Sequence, residues 1–237
     1  MTRSYDSHGF RLVVSFFWCS MNQQRVICFV DGFNLYHAIH KLKSPHLKWV
    51  NLWSLASVFI RPKSQCLIDV LYFSAYANWR PNSKKRHQEY VKALTSNRVN
   101  PIMGNFKAKD RKCPTCNYRW ESHEEKETDV NIALHMLNLA HQNKYDHAFL
   151  ISNDSDLVPA IKMVRGNFPQ KSITTVVPPK YWHSDELIRA SSAKAKITVD
   201  HLKRCLLPET IYDAKGKVIV KRPEEYAPPI LSIATTS

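Results

Sequence analysis

Two stretches of this chain carry an apolar run straight into acidic residues, and they limit the possible folds more than anything else in it. They are Val26-Ile27-Cys28-Phe29-Val30-Asp31-Gly32-Phe33-Asn34 and Ala148-Phe149-Leu150-Ile151-Ser152-Asn153-Asp154-Ser155-Asp156. A short continuous apolar run is the pattern of a strand buried on both faces, as in a parallel sheet covered by helices. In open α/β sheets, ligands bind beyond the carboxyl ends of the strands. Asp31, Asp154 and Asp156 are therefore expected at one rim. Clustered carboxylates resist full ionisation, and a divalent cation relieves that repulsion. The pattern points to a metal-dependent phosphodiester site.

The rest of the chain supports an α/β fold. Strands are expected at 25–30, 66–75, 100–107, 147–151 and 172–177, and helices at 34–43, 51–59, 83–96, 128–141, 157–165 and 184–190. In the fourth helix Val130, Ala133, Leu134, Leu137 and either Ala140 or His141 follow the 3.6-residue period. Strands alternating with helices imply a mostly parallel sheet covered on both faces. Residues 108–126 read as a charged loop insertion, 211–220 as a hairpin turning at Gly216, and 223–237 as a loose Pro-rich tail. The expected organisation is an extension at 1–20, one domain at 21–205, and a C-terminal hairpin and tail at 206–237. The apolar run 12–18 lacks a following small-x-small cleavage site, so the first twenty residues read as a dispensable extension or a misassigned start ahead of Met21.

The net charge of +14 and pI of about 9.6 favour a polyanionic partner, nucleic acid first, over simple solubility. Six cysteines in a chain this rich in apolar residues do not make a disulfide framework, so a reducing cytoplasm is expected. No run of 18 apolar residues exists to span a membrane. No feature speaks to the oligomeric state.

Thr128 is expected to cap its helix and to place Asp129 in the first turn. Alone, Asp129 could offset the helix dipole, and Asp154 or Asp156 could be an N-cap. Together, and beside Asn34 and Ser152, the four acids read as a site. Mg²⁺ or Mn²⁺ would be held by one or two carboxylates, with waters completing the shell. Asp31 and Asp154 are the first candidates as direct ligands. Asp129 and Asp156 would serve a second ion or orient the water, and Asn34 would bond the phosphate or a ligand carboxylate.

Val-Asp-Gly-Phe-Asn at 30–34, Glu-Thr-Asp-Val at 127–130 and Ser-Asn-Asp-Ser-Asp-Leu at 152–157 resemble the motifs of the NYN domain, a branch of the PIN-like nucleases. The resemblance spans about 25–200. It implies a Rossmannoid three-layer α/β/α sandwich, RNA as substrate class, and metal or catalytic roles for Asp31, Asp129, Asp154 and Asp156. Gly32 is the small residue the family places after its first Asp. A resemblance of this kind carries fold more securely than activity.

Cys113-Pro114-Thr115-Cys116 has the spacing of half a zinc site, with His123 as a plausible third ligand and no obvious fourth. Inert loop thiols and redox chemistry are the other readings. From Arg80 to Lys112 there are ten Lys or Arg and two acids. Lys84, Lys85 and Arg86, near Trp79 and Tyr90, suit single-stranded nucleic acid, or else form a solvated helix face. The following stretch to Asp129 holds five acids, which could bind metal or neutralise the basic segment.

Three functions compete. The first is a metal-dependent ribonuclease. The second is a catalytically silent RNA-binding protein on the same fold. The third is a monooxygenase, because the family resemblance extends to bacterial NADH-dependent hydroxylases of 6-hydroxy-3-succinoylpyridine, enzymes of nicotine degradation. NADH and a flavin would be its cofactors. The five glycines spell no GxGxxG fingerprint, which argues against it without excluding an unusual flavin site.

Overall fold

The computed structural model describes Cys19, Ser20 and residues 22–229. The expectation for residues 1–18 and for the end of the tail lies outside the described residues. The chain builds β1 (Gln24–Asp31), α1 (Gly32–His40), α2 (Leu52–Ser57), β2 (Gln65–Ala75), α3 (Pro81–Ser96), β3 (Val99–Lys112), β4 (Arg119–Lys126) and α4 (Thr128–His141). It continues through β5 (His147–Ile151), α5 (Val158–Asn167), β6 (Ser172–Val177), α6 (Asp185–Ala190), β7 (Ala193–Lys196), α7 (Val199–Arg204), β8 (Thr210–Tyr212) and β9 (Val218–Lys221).

Seven strands form one sheet in the order β4-β3-β2-β1-β5-β6-β7, and every pairing is parallel except β3 with β4. From β1 the chain first builds outward through β2 and β3, then returns to pair β5 on the other side of β1. The order therefore reverses between β1 and β5, and that crevice is where an open α/β sheet offers a site.

The apolar run of β1 serves two cores at once. Val26, Cys28 and Val30 face a layer that includes Leu35, Ile39, Leu55, Leu94 and Leu202. Ile27 and Phe29 face the opposite layer, with Ile132, Met136, Ile161 and Leu187. Alternate side chains of a strand point to opposite faces, so both sets must be apolar. Each fully buried side chain of this kind contributes about 1.5–3 kcal/mol. At the amino end of the sheet, Arg25 grips Asp146 through Nε at 3.0 Å and Nη2 at 2.7 Å, tying β1 to the start of β5.

Three features depart from the sequence expectation. Residues 108–126 are not a loop: β3 runs on to Lys112 and pairs antiparallel with β4, with Lys107 opposite Glu124 and Asp110 opposite Glu121. Glu124 takes ion pairs from Lys109 at 3.7 Å, from Lys126 at 3.2 Å and from Arg111. The two charge runs are thus paired strands, whose opposite charges meet at Glu124. Short β7 and α7 carry no strong periodicity and were not expected. Finally, the C-terminal segment folds back: Leu207, Ile211 and Val220 pack on fully buried Trp49, whose indole N–H donates to the Pro208 carbonyl at 2.9 Å. Among the described residues no helix is long and apolar enough to cross a membrane.

Candidate functional site

The carboxyl ends of β1 and β5 converge at the switch point. Asp31 ends β1 and caps α1: its Oδ1 accepts the Asn34 backbone N–H at 2.9 Å. Its Oδ2 accepts the Ser152 hydroxyl at 2.8 Å. Only 4 % of Asp31 is exposed. Ser152 Oγ in turn accepts the Asp154 N–H at 3.0 Å, and Asp154 Oδ1 accepts the Asp156 N–H at 2.9 Å. Asn34 Oδ1 accepts the Asn153 N–H at 3.1 Å. A chain of polar contacts therefore locks the β1–α1 junction to the loop after β5.

Asp129 arrives from α4. The chain turns left-handed at Glu127, φ 81°, and the helix starts at Thr128. Thr128 is not the cap. Its N–H and hydroxyl both go to the Glu125 carboxylate, the former at 3.0 Å. Gly104 on β3 gives this junction room, because a Cβ there would stand 2.8 Å from the Lys126 carbonyl. Asp129 lies in the first turn and is half-buried.

The charges of these acids are felt at Asp31 and Asp129. Burial pushes Asp31 up to about 6; its two hydrogen bonds oppose that, and the charges of Asp129 and Asp154 add to it. Burial likewise raises Asp129 to about 6, helped by Asp154, Glu125 and Asp156. Glu125 belongs to this field although the sequence reading did not single it out. The signal was its place three residues ahead of a helix start, where a carboxylate meets free backbone N–H groups.

Among the described residues, no three His, Cys, Asp or Glu side chains are grouped closely enough to hold an ion by themselves. Mg²⁺ keeps several waters and takes one or two carboxylates, so an open oxygen rim fits it better than a closed cage would. A second observation agrees: the Asn153 side-chain oxygen is buried with no hydrogen-bond partner among the described residues. An orphaned acceptor beside mutually repelling carboxylates suits a hydrated hard cation.

The other expected residues are scattered. Cys113 and Cys116 sit in the tight turn of the β3–β4 hairpin, closed by Cys113 N–H to the Tyr118 carbonyl at 2.8 Å. The N–H groups of Cys116 and Thr115 draw the Cys113 thiol below its usual range. His123 is not brought to them. It pairs across β3 with Ala108, four positions from the Lys112–Arg119 pair and so about 13 Å down the hairpin. There it stacks on Trp79 with centroids 3.6 Å apart and contacts Glu121 at 3.1 Å. Lys84 and Lys85 lie on the first turns of α3, while Arg86 turns to Glu225 at 2.8 Å. Tyr90 points inward, donating to the Val50 carbonyl at 2.8 Å.

A mostly parallel sheet with a carboxylate rim at its switch point defines a class of α/β domain that gathers acids at one edge. The chain belongs to the NYN domain family, a family of PIN-like nucleases, whose model matches residues 25–196. It is 24 % identical to 6-hydroxy-3-succinoylpyridine 3-monooxygenase HspA of Pseudomonas putida, over 85 % of this chain and 75 % of that protein. Its fold is similar to that of a protein of unknown function from Vibrio parahaemolyticus, with a TM-score of 0.52, 18 % identity, and coverage of 79 % of this chain and 99 % of the other.

Proposed function

We propose that this protein is a divalent-metal-dependent ribonuclease that hydrolyses RNA phosphodiester bonds at the switch-point rim. The observation that carries the reading is the placement of Asp31, buried at the end of β1 and joined through Ser152 to the loop that bears Asp154. Asp31, Asp129, Asp154 and Asp156 would hold Mg²⁺ or Mn²⁺. The bound ion would supply Lewis acidity towards the phosphate and towards an attacking water. Ser152 and the Asn34 N–H fix the Asp31 carboxylate in one orientation. Asn34 braces the loop after β5, so it acts on the site through Asn153. The net charge of +14 supports an RNA partner and predicts salt-sensitive binding.

A second reading is a monooxygenase that hydroxylates a pyridine ring with NADH and a flavin. It draws on the Pseudomonas relative and on a partly open aromatic cavity beside the rim, of about 230 Å³. The zinc reading of Cys113 and Cys116 would need ligands other than His123.

One experiment separates these readings. Purified protein and Asp31→Asn are each given single-stranded RNA with Mn²⁺, and NADH with candidate pyridines. Cleavage abolished by the substitution supports the nuclease. NADH consumption coupled to pyridine loss, without cleavage, supports the hydroxylase. RNA binding with neither reaction leaves a silent RNA-binding protein.

A further inference from the structure

The cavity lies between α1, α3, the end of β2 and the middle of β3, directly beyond Asp31. Gly32 and Phe33, the next two residues of the chain, form part of its wall. Phe33, Tyr36, Tyr72, Trp79, Tyr90 and Phe106 supply aromatic surface. Phe106 joins Phe33 and Trp79 edge-on, at 5.4 and 4.7 Å between centroids, so the wall is braced. His87, held neutral by burial that lowers it to about 4, meets the Tyr72 hydroxyl at 3.1 Å.

The charged residues that line the cavity are basic. Lys48, Arg80 and Arg86 line the cavity, and no Asp or Glu does. Arg86 is bound to Glu225 of the C-terminal segment, whose neighbour Tyr226 also lines the cavity. Lys48 Nζ sits 4.4 Å over the Tyr36 ring and 3.2 Å from its hydroxyl. The Arg80 guanidinium is exposed and has no hydrogen-bond or ion-pair partner among the described residues. Aromatic walls with a cationic mouth select a planar ring that carries an anion. In a single-stranded nucleic acid, each nucleotide offers that combination.

We propose that this cavity binds one nucleotide of the substrate strand, its base among Tyr36, Tyr72 and Trp79 and its phosphate at Arg80 and Lys48. The site deepens the ribonuclease reading, since a base seated here leaves the adjoining phosphate near Asp31. It would fix which bond reaches the carboxylate rim.

The test is metal-free binding to the full chain, followed by Trp fluorescence and calorimetry. The probes are AMP, inorganic phosphate and benzoate, with Tyr36→Leu and Arg80→Ala as variants and thermal melting as the check of folding. AMP is expected to bind saturably and at least about tenfold tighter than phosphate, the equivalent of about 1.4 kcal/mol of stacking. Both variants should weaken AMP several-fold while melting like the parent. Benzoate binding as tightly as AMP would overturn the nucleotide assignment in favour of a small aromatic acid. AMP binding that is absent, or unaffected by either folded variant, would overturn the cavity itself. AMP binding in a protein that cleaves no RNA would sink the hydrolytic reading and leave the subsite standing. Cleavage without AMP binding would do the reverse.

Discussion

Ser152 Oγ donates to Asp31 Oδ2 across 2.8 Å, joining the ends of two parallel strands through one charged hydrogen bond. That bond favours the ionised carboxylate against the burial that opposes it. Ser152→Ala therefore raises the Asp31 pKa. In the metal-free protein the Asp31 carboxyl, raised to about 6 by burial, should titrate at higher pH in Ser152→Ala than in the parent, as carboxyl NMR would record. An unchanged titration would mean that the Ser152 hydroxyl does not stabilise the ionised carboxylate.

Stability should depend on pH through the same carboxyl. The Asp31 carboxyl holds its proton up to about 6 in the folded chain, against an ordinary value of 3.8. The folded state thus binds more protons over that window, and its stability falls as pH rises through it. Asp31→Asn removes the cost of the buried charge. It should stabilise the metal-free protein by about 1–3 kcal/mol at pH 8, and by little at pH 4. Urea denaturation at the two pH values measures this. An Asn variant less stable than the parent at pH 8 would contradict the burial argument.

Gly32 is a matter of space. A Cβ at this position would stand 2.5 Å from the Phe73 carbonyl and 2.6 Å from the Tyr72 ring. Gly32→Ala must push α1 away from β2, at about 1–3 kcal/mol. Because α1 begins beside Asp31, activity should fall further than the lost stability explains. A melting temperature equal to the parent's would show that the strand yields instead.

Much of this was legible in the sequence, and the exceptions have physical causes. The runs through Val30 and Ile151 gave β1 and β5 because strands buried on two faces must be continuously apolar. The places of Asp31, Asp129 and Asp154 at element ends were readable because an apolar or periodic run stops or starts beside each. Asn153 was not, since its significance is an unpartnered buried oxygen, which only the fold creates. The β3–β4 hairpin was read as a loop because charged residues signal exposure. Here Lys109 and Arg111 meet Glu124 on the neighbouring strand, a pairing that no single-strand periodicity reveals. The aromatic cavity was equally hidden, because Phe33, Trp79 and Phe106 are far apart in the chain and meet only once β2 and β3 pair.

The hairpin tip yields a separate expectation. Two thiols at the turn, with His123 about 13 Å away, do not complete a four-ligand site among the described residues. Cys113→Ser with Cys116→Ser should leave the melting temperature within about 1 °C of the parent, since backbone bonds close the turn. Zinc analysis should find well under one ion per chain. A full equivalent of zinc, with melting lowered by a chelator, would show that ligands from another source complete the site.

The most direct test of the central claim is the initial rate of single-stranded RNA cleavage at pH 7.5, titrated with Mn²⁺, for the parent, Asp31→Asn and Asp129→Asn. The account predicts no cleavage without the metal, saturation as it is added, and a fall of at least about a hundredfold in both variants. Metal-independent cleavage, or full activity in either variant, would contradict it.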